Sequence, residues 1–93
     1  MGEGGEAVRF EATILRKQDD LPRYVEVPQE VVPGRKGSFV AEVWLNDMGP
    51  FERNVHPWGK GREVFFFNLT AGQCTKAGVE TGETCLVTVM VKD

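Results

Sequence analysis

The chain has 93 residues, a formal net charge of −3, 41% hydrophobic residues and two cysteines, which together allow one small domain with one core. This apolar content excludes a disordered chain, and two cysteines are too few for a disulfide scaffold. The longest apolar run, residues 64–67, is far shorter than the roughly 20 residues of a membrane helix. The acidic balance argues against a general nucleic-acid binder, because phosphate contacts need clustered Lys and Arg.

The beginning of the chain has neither a basic region nor an apolar stretch, so it does not predict a signal peptide. We expect residues 1–7 to form a flexible leader and residues 8–93 to form a single β-barrel domain located in the cytoplasm. Cys74 and Cys85 lie among apolar neighbours, so we interpret them as reduced core residues, and a bridge between them stays open. With no Cys-x-x-Cys motif and one histidine, the sequence predicts no metal site and no cofactor.

Alternating apolar and polar residues predict a β-rich chain. In residues 8–17 the apolar side chains recur at every second position, the period of a half-buried strand. Residues 38–46 carry apolar side chains on both faces, which indicates a central strand. Residues 46–49 then read as a hairpin turn in which Gly49 is free to take a positive φ. The predicted strands are residues 8–17, 23–27, 38–46, 51–55, 63–69 and 84–92, with a loop rich in Gly and Pro at 56–62.

Two short helices are predicted between these strands. Pro28 favours the first turn of a helix over residues 29–32. A second helix over residues 70–77 has Thr70 as its N-cap and Gly78 at its end. Each helix lies between two strands and is followed by a glycine turn, so the chain contains two related strand–helix–strand halves. Two such halves can pair about a pseudo-twofold axis and close into a small barrel that protects its edges.

Several short motifs carry a family resemblance. They are Phe10-Glu11-Ala12-Thr13-Ile14, Val25-Glu26-Val27-Pro28, Pro57-Trp58-Gly59-Lys60-Gly61 and Gly82-Glu83-Thr84-Cys85-Leu86-Val87, with the strand of residues 39–45 between the second and the third. Over residues 8–92 the chain resembles the small bacterial domain of unknown function 1905 family. The resemblance implies a double-split β-barrel, similar to AbrB and MazE-like regulators but with both halves in one chain. It implies no established activity.

Aromatic residues are the most informative set for function. Six of them fall within residues 44–67, and the strand of residues 63–69 is apolar on both faces. If one face fills the barrel, a helix, a partner or a ligand must cover the other. Two interpretations of this strand stay open. Either both of its faces pack within the fold, or one face lines a groove that binds a small apolar molecule or a partner chain. The expected contact residues are Trp58, His56, Lys60, Arg62 and Trp44.

Three functional hypotheses follow. The first is a non-enzymatic binding module, a monomer or weak dimer, for a small apolar ligand or a partner protein. The second is an AbrB-like DNA-binding regulator, which the implied fold suggests and the acidic balance opposes. The third is a small enzyme that uses His56 with Lys60 or Arg62 in a loop-lined pocket. Because the residues contain no visible catalytic constellation, we expect no catalytic residue. The acidic balance argues against a nucleic-acid partner, and the short apolar runs argue against a membrane partner.

Overall fold

The computed structural model describes residues 7–59 and 62–92, with Arg62 described by its backbone alone. These residues form six strands, one α-helix and a single 3-10 turn. The elements are β1 (Ala7–Thr13), β2 (Arg23–Pro28), the 3-10 turn (Gln29–Val31), β3 (Phe39–Leu45), β4 (Met48–Gly59), β5 (Arg62–Leu69), α1 (Ala71–Ala77) and β6 (Thr84–Val91). The prediction of a mainly β fold is confirmed. Of the expected leader, residues 1–6 lie outside the described residues.

The six strands form one antiparallel sheet that is nearly closed into a barrel. Their order is β1-β6-β3-β4-β5-β2, so β3 is central, as its two apolar faces predict. The two outer strands approach each other just beyond the end of β1, where Leu15 and Tyr24 exchange backbone hydrogen bonds of 2.9 and 2.8 Å. This bridge covers part of the two sheet edges, which would otherwise present unpaired backbone groups to other chains.

The chain contains two related segments, β2 to β3 with the 3-10 turn between them and β5 to β6 with α1 between them. The strands of one segment pair antiparallel with those of the other. Strand β2 pairs with β5, with Val25 opposite Phe67, and β3 pairs with β6, with Val43 opposite Val89. The prediction of two short helices is wrong for the first segment, because Gln29–Val31 forms only one 3-10 turn without a side-chain cap. Only residues 29–32 lie between Pro28 and Pro33, and a segment of this length is too short to nucleate an α-helix.

Helix α1 begins and ends as the sequence predicts. The Thr70 hydroxyl oxygen accepts a hydrogen bond from the Gln73 backbone N–H at 3.1 Å, and the Gln73 side chain accepts one from the Thr70 N–H at 3.0 Å. This capping box satisfies two N–H groups that the first turn leaves without helical partners. Gly78 ends the helix with a φ of 74°, in the left-handed region that glycine adopts at little cost.

The core is built from alternate residues of the strands, together with the buried face of α1. On β5, Phe65, Phe67 and Leu69 are buried inside the sheet. Both cysteines are free thiols in the same core, so their interpretation as core residues is confirmed. The buried cluster comprises Ile14, Val25, Val27, Val32, Phe39, Ala41, Val43, Leu45, Val55, Phe65, Phe67, Leu69, Cys74, Val79, Cys85, Val87 and Val89.

Two chain reversals differ from the predicted boundaries. Strand β1 ends at Thr13 rather than at residue 17, because the backbone of Ile14 bonds to Glu83 and the next residue turns toward β2. The β3–β4 turn is shorter than predicted and consists of Asn46 and Asp47. Asn46 adopts a φ of 54°, a conformation that asparagine tolerates better than most residues. The turn therefore needs two residues, and Gly49 belongs to β4.

Candidate functional site

His56 and Trp58 lie on a strand, so the predicted loop at residues 56–62 is wrong for the first four of these positions, and also for Arg62, where β5 begins. Strand β4 continues to Gly59 and pairs His56 with Phe66 on β5. The Trp58 ring meets the Phe66 ring edge to face, with centroids 5.1 Å apart, and such aromatic pairs stabilise the strands that carry them. A register shift near Gly59 accommodates the glycine and the proline that predicted a loop.

Three aromatic side chains from adjacent strands form one cluster on the outer face of the sheet. Tyr24 comes from β2, Phe66 from β5 and Trp58 from β4. The Tyr24 and Trp58 centroids lie 5.6 Å apart, and those of Tyr24 and Phe66 lie 6.4 Å apart. Each distance is within the 4.5–7 Å range typical of interacting aromatic pairs. All three rings are only half-buried, so the cluster presents aromatic surface to solvent.

The cluster lines an open cleft of about 310 Å³, which we call the aromatic cleft. The chain turn between β1 and β2 forms its other wall, with Leu21 39% exposed. The Lys17 ammonium lies 4.7 Å from the centroid of the Trp58 ring, within the distance of a cation–π contact. Among the described residues, no carboxylate lines the cleft. The lining residues are Lys17, Leu21, Pro22, Tyr24, Trp58, Phe66 and Asn68.

A second cavity of about 200 Å³, which we call the polar pocket, adjoins the aromatic cleft. Asn68 lines both cavities, and Glu52, Arg53, Asn54 and His56 complete the polar pocket. The His56 ring lies 5.7 Å from the Phe66 ring, so the wall of the aromatic cleft is also in contact with the polar pocket. The two cavities together form a continuous surface that is aromatic on one side of Asn68 and polar on the other.

The carboxylate that lines the polar pocket forms an ion pair. The Lys92 ammonium contacts the Glu52 carboxylate at 2.6 Å, and this hydrogen bond and the carboxylate charge raise the pKa of Lys92. The negative charge of Glu52 is therefore matched by a neighbouring cation. The side chain of Arg53 lies on the other face of β4, because Arg53 is paired with the fully buried Ala41. Its buried Nε has no hydrogen-bond partner among the described residues. A buried donor without a partner is rare in folded proteins.

His56 is held by Ser38, a contact that the sequence analysis did not identify. The Ser38 hydroxyl lies 3.0 Å from His56 Nδ1, which leaves Nε2 as the ring nitrogen for a further partner. A serine nucleophile needs a third group that orients the imidazole and donors that stabilise an oxyanion. In residues 7–59 and 62–92, no hydrogen bond joins His56 to a carboxylate. The contact therefore supports a positioned imidazole rather than a catalytic triad.

The remaining predicted site residues do not join this group. Trp44 is half-buried on β3, opposite Thr88 of β6 and beside Gly49. It lies near the start of β4, whereas Trp58 lies near the end, about 25 Å of extended chain away at roughly 3.3 Å per residue. Lys60 lies outside the described residues, and the side chain of Arg62 is not described.

The sequence analysis missed the other residues of the cleft. Tyr24 follows the outward alternation of its strand, just as Phe66 follows that of β5. The pattern alone does not show that β2 and β5 are neighbours, so it does not bring the two rings together. Lys17 is the last residue of the strand predicted over residues 8–17, and Leu21 lies between that strand and the next predicted strand. Their contribution depends on where that turn packs, which no local pattern encodes.

Among residues 7–59 and 62–92, no three histidine, cysteine, aspartate or glutamate side chains come together as metal ligands would. No helix of the described chain is both long and apolar enough to cross a membrane.

Comparison with known proteins gives a family but no activity. A family model described as "Domain of unknown function (DUF1905)" matches residues 10–89. This match confirms the resemblance drawn from the sequence motifs. A search of curated proteins found no match.

Proposed function

Because this chain belongs to the domain of unknown function 1905 family, whose description gives no activity, we propose its function from the site itself. It is a non-enzymatic binding module that takes a small ring-containing apolar ligand in the aromatic cleft. The observation that carries this proposal is the convergence of Tyr24, Trp58 and Phe66 on one open cavity. Aromatic and apolar walls with a few polar groups are typical of small-molecule sites.

The dimensions of the aromatic cleft support a ligand of one or two rings. Its volume of about 310 Å³ lies at the lower end of the roughly 300–1,000 Å³ range of ligand pockets. Phe65 and Phe67 occupy the barrel core from the opposite face of β5, which leaves Phe66 on the outer face. A flat ring that enters the cleft removes apolar surface of the three aromatic side chains from water, which favours binding.

The alternatives receive less support. A DNA-binding role is opposed by the net charge of −3, because nucleic-acid affinity depends on clustered cations. A catalytic role for His56 lacks a carboxylate partner among the described residues. We place the module in the cytoplasm, since its two free thiols fit a reducing compartment.

Ligand-observed NMR with a neutral ring compound, 3-methylindole, tests this proposal. We expect saturation transfer from the wild-type chain to the probe. Trp58→Ala should abolish the transfer because it removes the ring that contacts both Tyr24 and Phe66. Trp44→Ala is the matched control, since it removes the other tryptophan, and it should leave the transfer unchanged. Absence of transfer with the folded wild-type chain, or equal transfer with Trp58→Ala, would contradict the proposal.

A further inference from the structure

The side chain of Asn68 indicates what kind of ring the aromatic cleft takes. Resting on the proposed function, we infer that the ligand is an uncharged planar heteroaromatic compound whose edge carries an N–H donor next to a ring-nitrogen acceptor. The face of the ring lies against the aromatic walls of the cleft, and this edge forms two hydrogen bonds with the Asn68 amide. A ring of the same shape without the nitrogen acceptor fits the walls and loses one of the two bonds.

Asn68 lies on the outer face of β5, at the end of the aromatic cleft where the polar pocket begins. Its chain neighbours Phe67 and Leu69 are buried on the inner face. It is paired with Tyr24 on β2, and the Cβ atoms of such a pair lie about 4.5–5.5 Å apart on one face. Phe66 precedes it by two residues and therefore shares this face, about 7 Å away. A ring that stacks on Tyr24 or Phe66 therefore presents an edge to the Asn68 amide.

The Asn68 amide is available to a ligand. It has no hydrogen bond within residues 7–59 and 62–92, and its side chain is half-buried between the two cavities that it lines. Among the described residues that line the aromatic cleft, only Asn68 carries an amide. A ligand that covers this group without bonding to it removes its hydrogen bonds to water, which weakens binding. The cleft therefore favours a ring that replaces those bonds.

An amide side chain matches a donor and an acceptor that are adjacent on one ring edge. Its carbonyl oxygen accepts a hydrogen bond while its NH2 group donates one, and asparagine binds the adjacent amine and ring nitrogen of adenine in this way. Stacking on an aromatic side chain does not depend on the edge, because every aromatic ring has a π face. The walls of the cleft therefore supply affinity, and Asn68 distinguishes between rings of the same size.

Lys17 argues against a protonated ring. Its ammonium lies 4.7 Å from the centroid of the Trp58 ring, and no carboxylate lines the cleft among the described residues. A cationic ring would therefore approach a positive charge with no negative charge beside it, which is unfavourable. Because the ammonium already lies over Trp58, the Asn68 amide is the group that selects among uncharged rings.

The compounds 7-azaindole and indole test this inference, because they have the same shape and differ in one ring nitrogen. Both are uncharged at neutral pH, and only 7-azaindole has an acceptor beside its N–H donor. In 1H–15N NMR titrations we expect 7-azaindole to bind roughly tenfold tighter than indole. One Asn68 NH2 proton should shift downfield with 7-azaindole and not with indole. Since 7-azaindole is the more polar compound, burial of apolar surface alone predicts the opposite order of affinity.

Variants assign this preference to Asn68. Asn68→Leu has a side chain of similar shape without a donor or an acceptor, so it should remove the preference for 7-azaindole while indole still binds. Asn54→Leu is the matched control, because Asn54 lines the polar pocket but not the aromatic cleft, and it should keep the preference. Should Asn68→Leu fail to fold, blocking the donor tests the same contact in the wild-type chain, where 1-methyl-7-azaindole should bind no tighter than 1-methylindole.

The outcomes separate this inference from the proposed function. If 7-azaindole binds no tighter than indole, and both are lost in Trp58→Ala, the role of Asn68 is overturned and the aromatic cleft is left as the binding site. Binding of neither compound to the folded wild-type chain would overturn both proposals. An unchanged preference in a folded Asn68→Leu variant would also overturn the assignment of the polar ring edge to Asn68.

Discussion

The Trp58 and Phe66 rings meet edge to face with their centroids 5.1 Å apart, across the pairing of β4 and β5. This contact links the β4–β5 pairing to the surface that we propose for binding. It fixes Trp58 beside Tyr24 and below Lys17, on an extended strand. The same side chain therefore contributes to the stability of the sheet and to the shape of the aromatic cleft.

Replacing Trp58 should lower the stability of the protein as well as its ligand binding. Trp58→Ala loses contacts with two aromatic rings, each worth about 0.5–1.5 kcal/mol beyond the buried area. We expect the free energy of unfolding, measured in urea, to fall by about 1–3 kcal/mol. Trp58→Phe keeps a ring at this position and should lose less than half as much. Equal losses in both variants would show that ring packing is not the source of the effect.

The capping box of α1 should contribute measurably to stability. Thr70→Ala removes the hydroxyl that accepts a hydrogen bond from the Gln73 N–H at 3.1 Å, and loss of such a cap costs about 1 kcal/mol. Thr75→Ala is the matched control, because Thr75 is exposed in the same helix and only its backbone carbonyl, which the substitution keeps, takes part in capping. Urea unfolding of the two variants measures the difference. A loss in Thr75→Ala as large as that in Thr70→Ala would contradict the role of the cap.

Gly49 should be intolerant of any side chain. Its φ is 146°, and a Cβ atom there would lie 2.7 Å from the Val43 carbonyl oxygen, closer than real Cβ contacts. We expect Gly49→Ala to lower the free energy of unfolding by about 1–3 kcal/mol, the usual range for backbone strain. Gly37→Ala has open space around its Cβ and should be neutral or stabilising by up to about 1 kcal/mol. Similar effects in both variants, measured by thermal unfolding, would refute the close-approach explanation.

The two buried thiols should react slowly in the folded protein. Their deprotonation at high pH should also lower the free energy of unfolding. Burial raises the pKa of Cys74 and Cys85 above the ordinary value of 9.0. The folded state therefore keeps the thiol protons to higher pH than the unfolded state. Their contribution to stability is complete below about pH 9 and decreases as the pH rises above it.

Thermal unfolding between about pH 8 and pH 10.5 measures this contribution. The wild-type chain should lose more stability over the range than the double variant Cys74→Ala/Cys85→Ala, which controls for tyrosine and lysine titration. Alkylation with iodoacetamide near pH 8 should be slow until urea unfolds the chain, because buried thiols form little thiolate. Rapid modification of the folded chain, or parallel pH profiles, would contradict this burial argument.

Much of the fold could be predicted because it depends on local patterns. The alternation along β5 places Phe65 and Phe67 on one face and Phe66 on the other, and the structure buries the first of these faces. The two apolar faces of β3 correctly indicated a central strand. Thr70 and Gly78 marked the ends of α1 because caps are set by single residues. These features need no knowledge of which strands are neighbours.

The candidate site was less predictable because it depends on pairing between distant strands. Trp58 was identified as a contact residue, but Gly and Pro neighbours predicted a loop, and its packing on Phe66 outweighs their local preference. Tyr24 and Asn68 are brought together only by the β2–β5 register. Trp44 was grouped with Trp58 because both are aromatic, although Trp44 lies on β3 beside the start of β4 and Trp58 lies near the end of β4.

The most direct test of the binding proposal is a 1H–15N NMR titration with 3-methylindole, read at the two tryptophan indole N–H signals. We predict that the Trp58 signal shifts with the backbone signals of Leu21, Tyr24 and Asn68, while the Trp44 signal stays in place as an internal control. Shifts centred on Trp44, or an unchanged Trp58 signal at saturating ligand, would contradict the assignment of the aromatic cleft as the binding site.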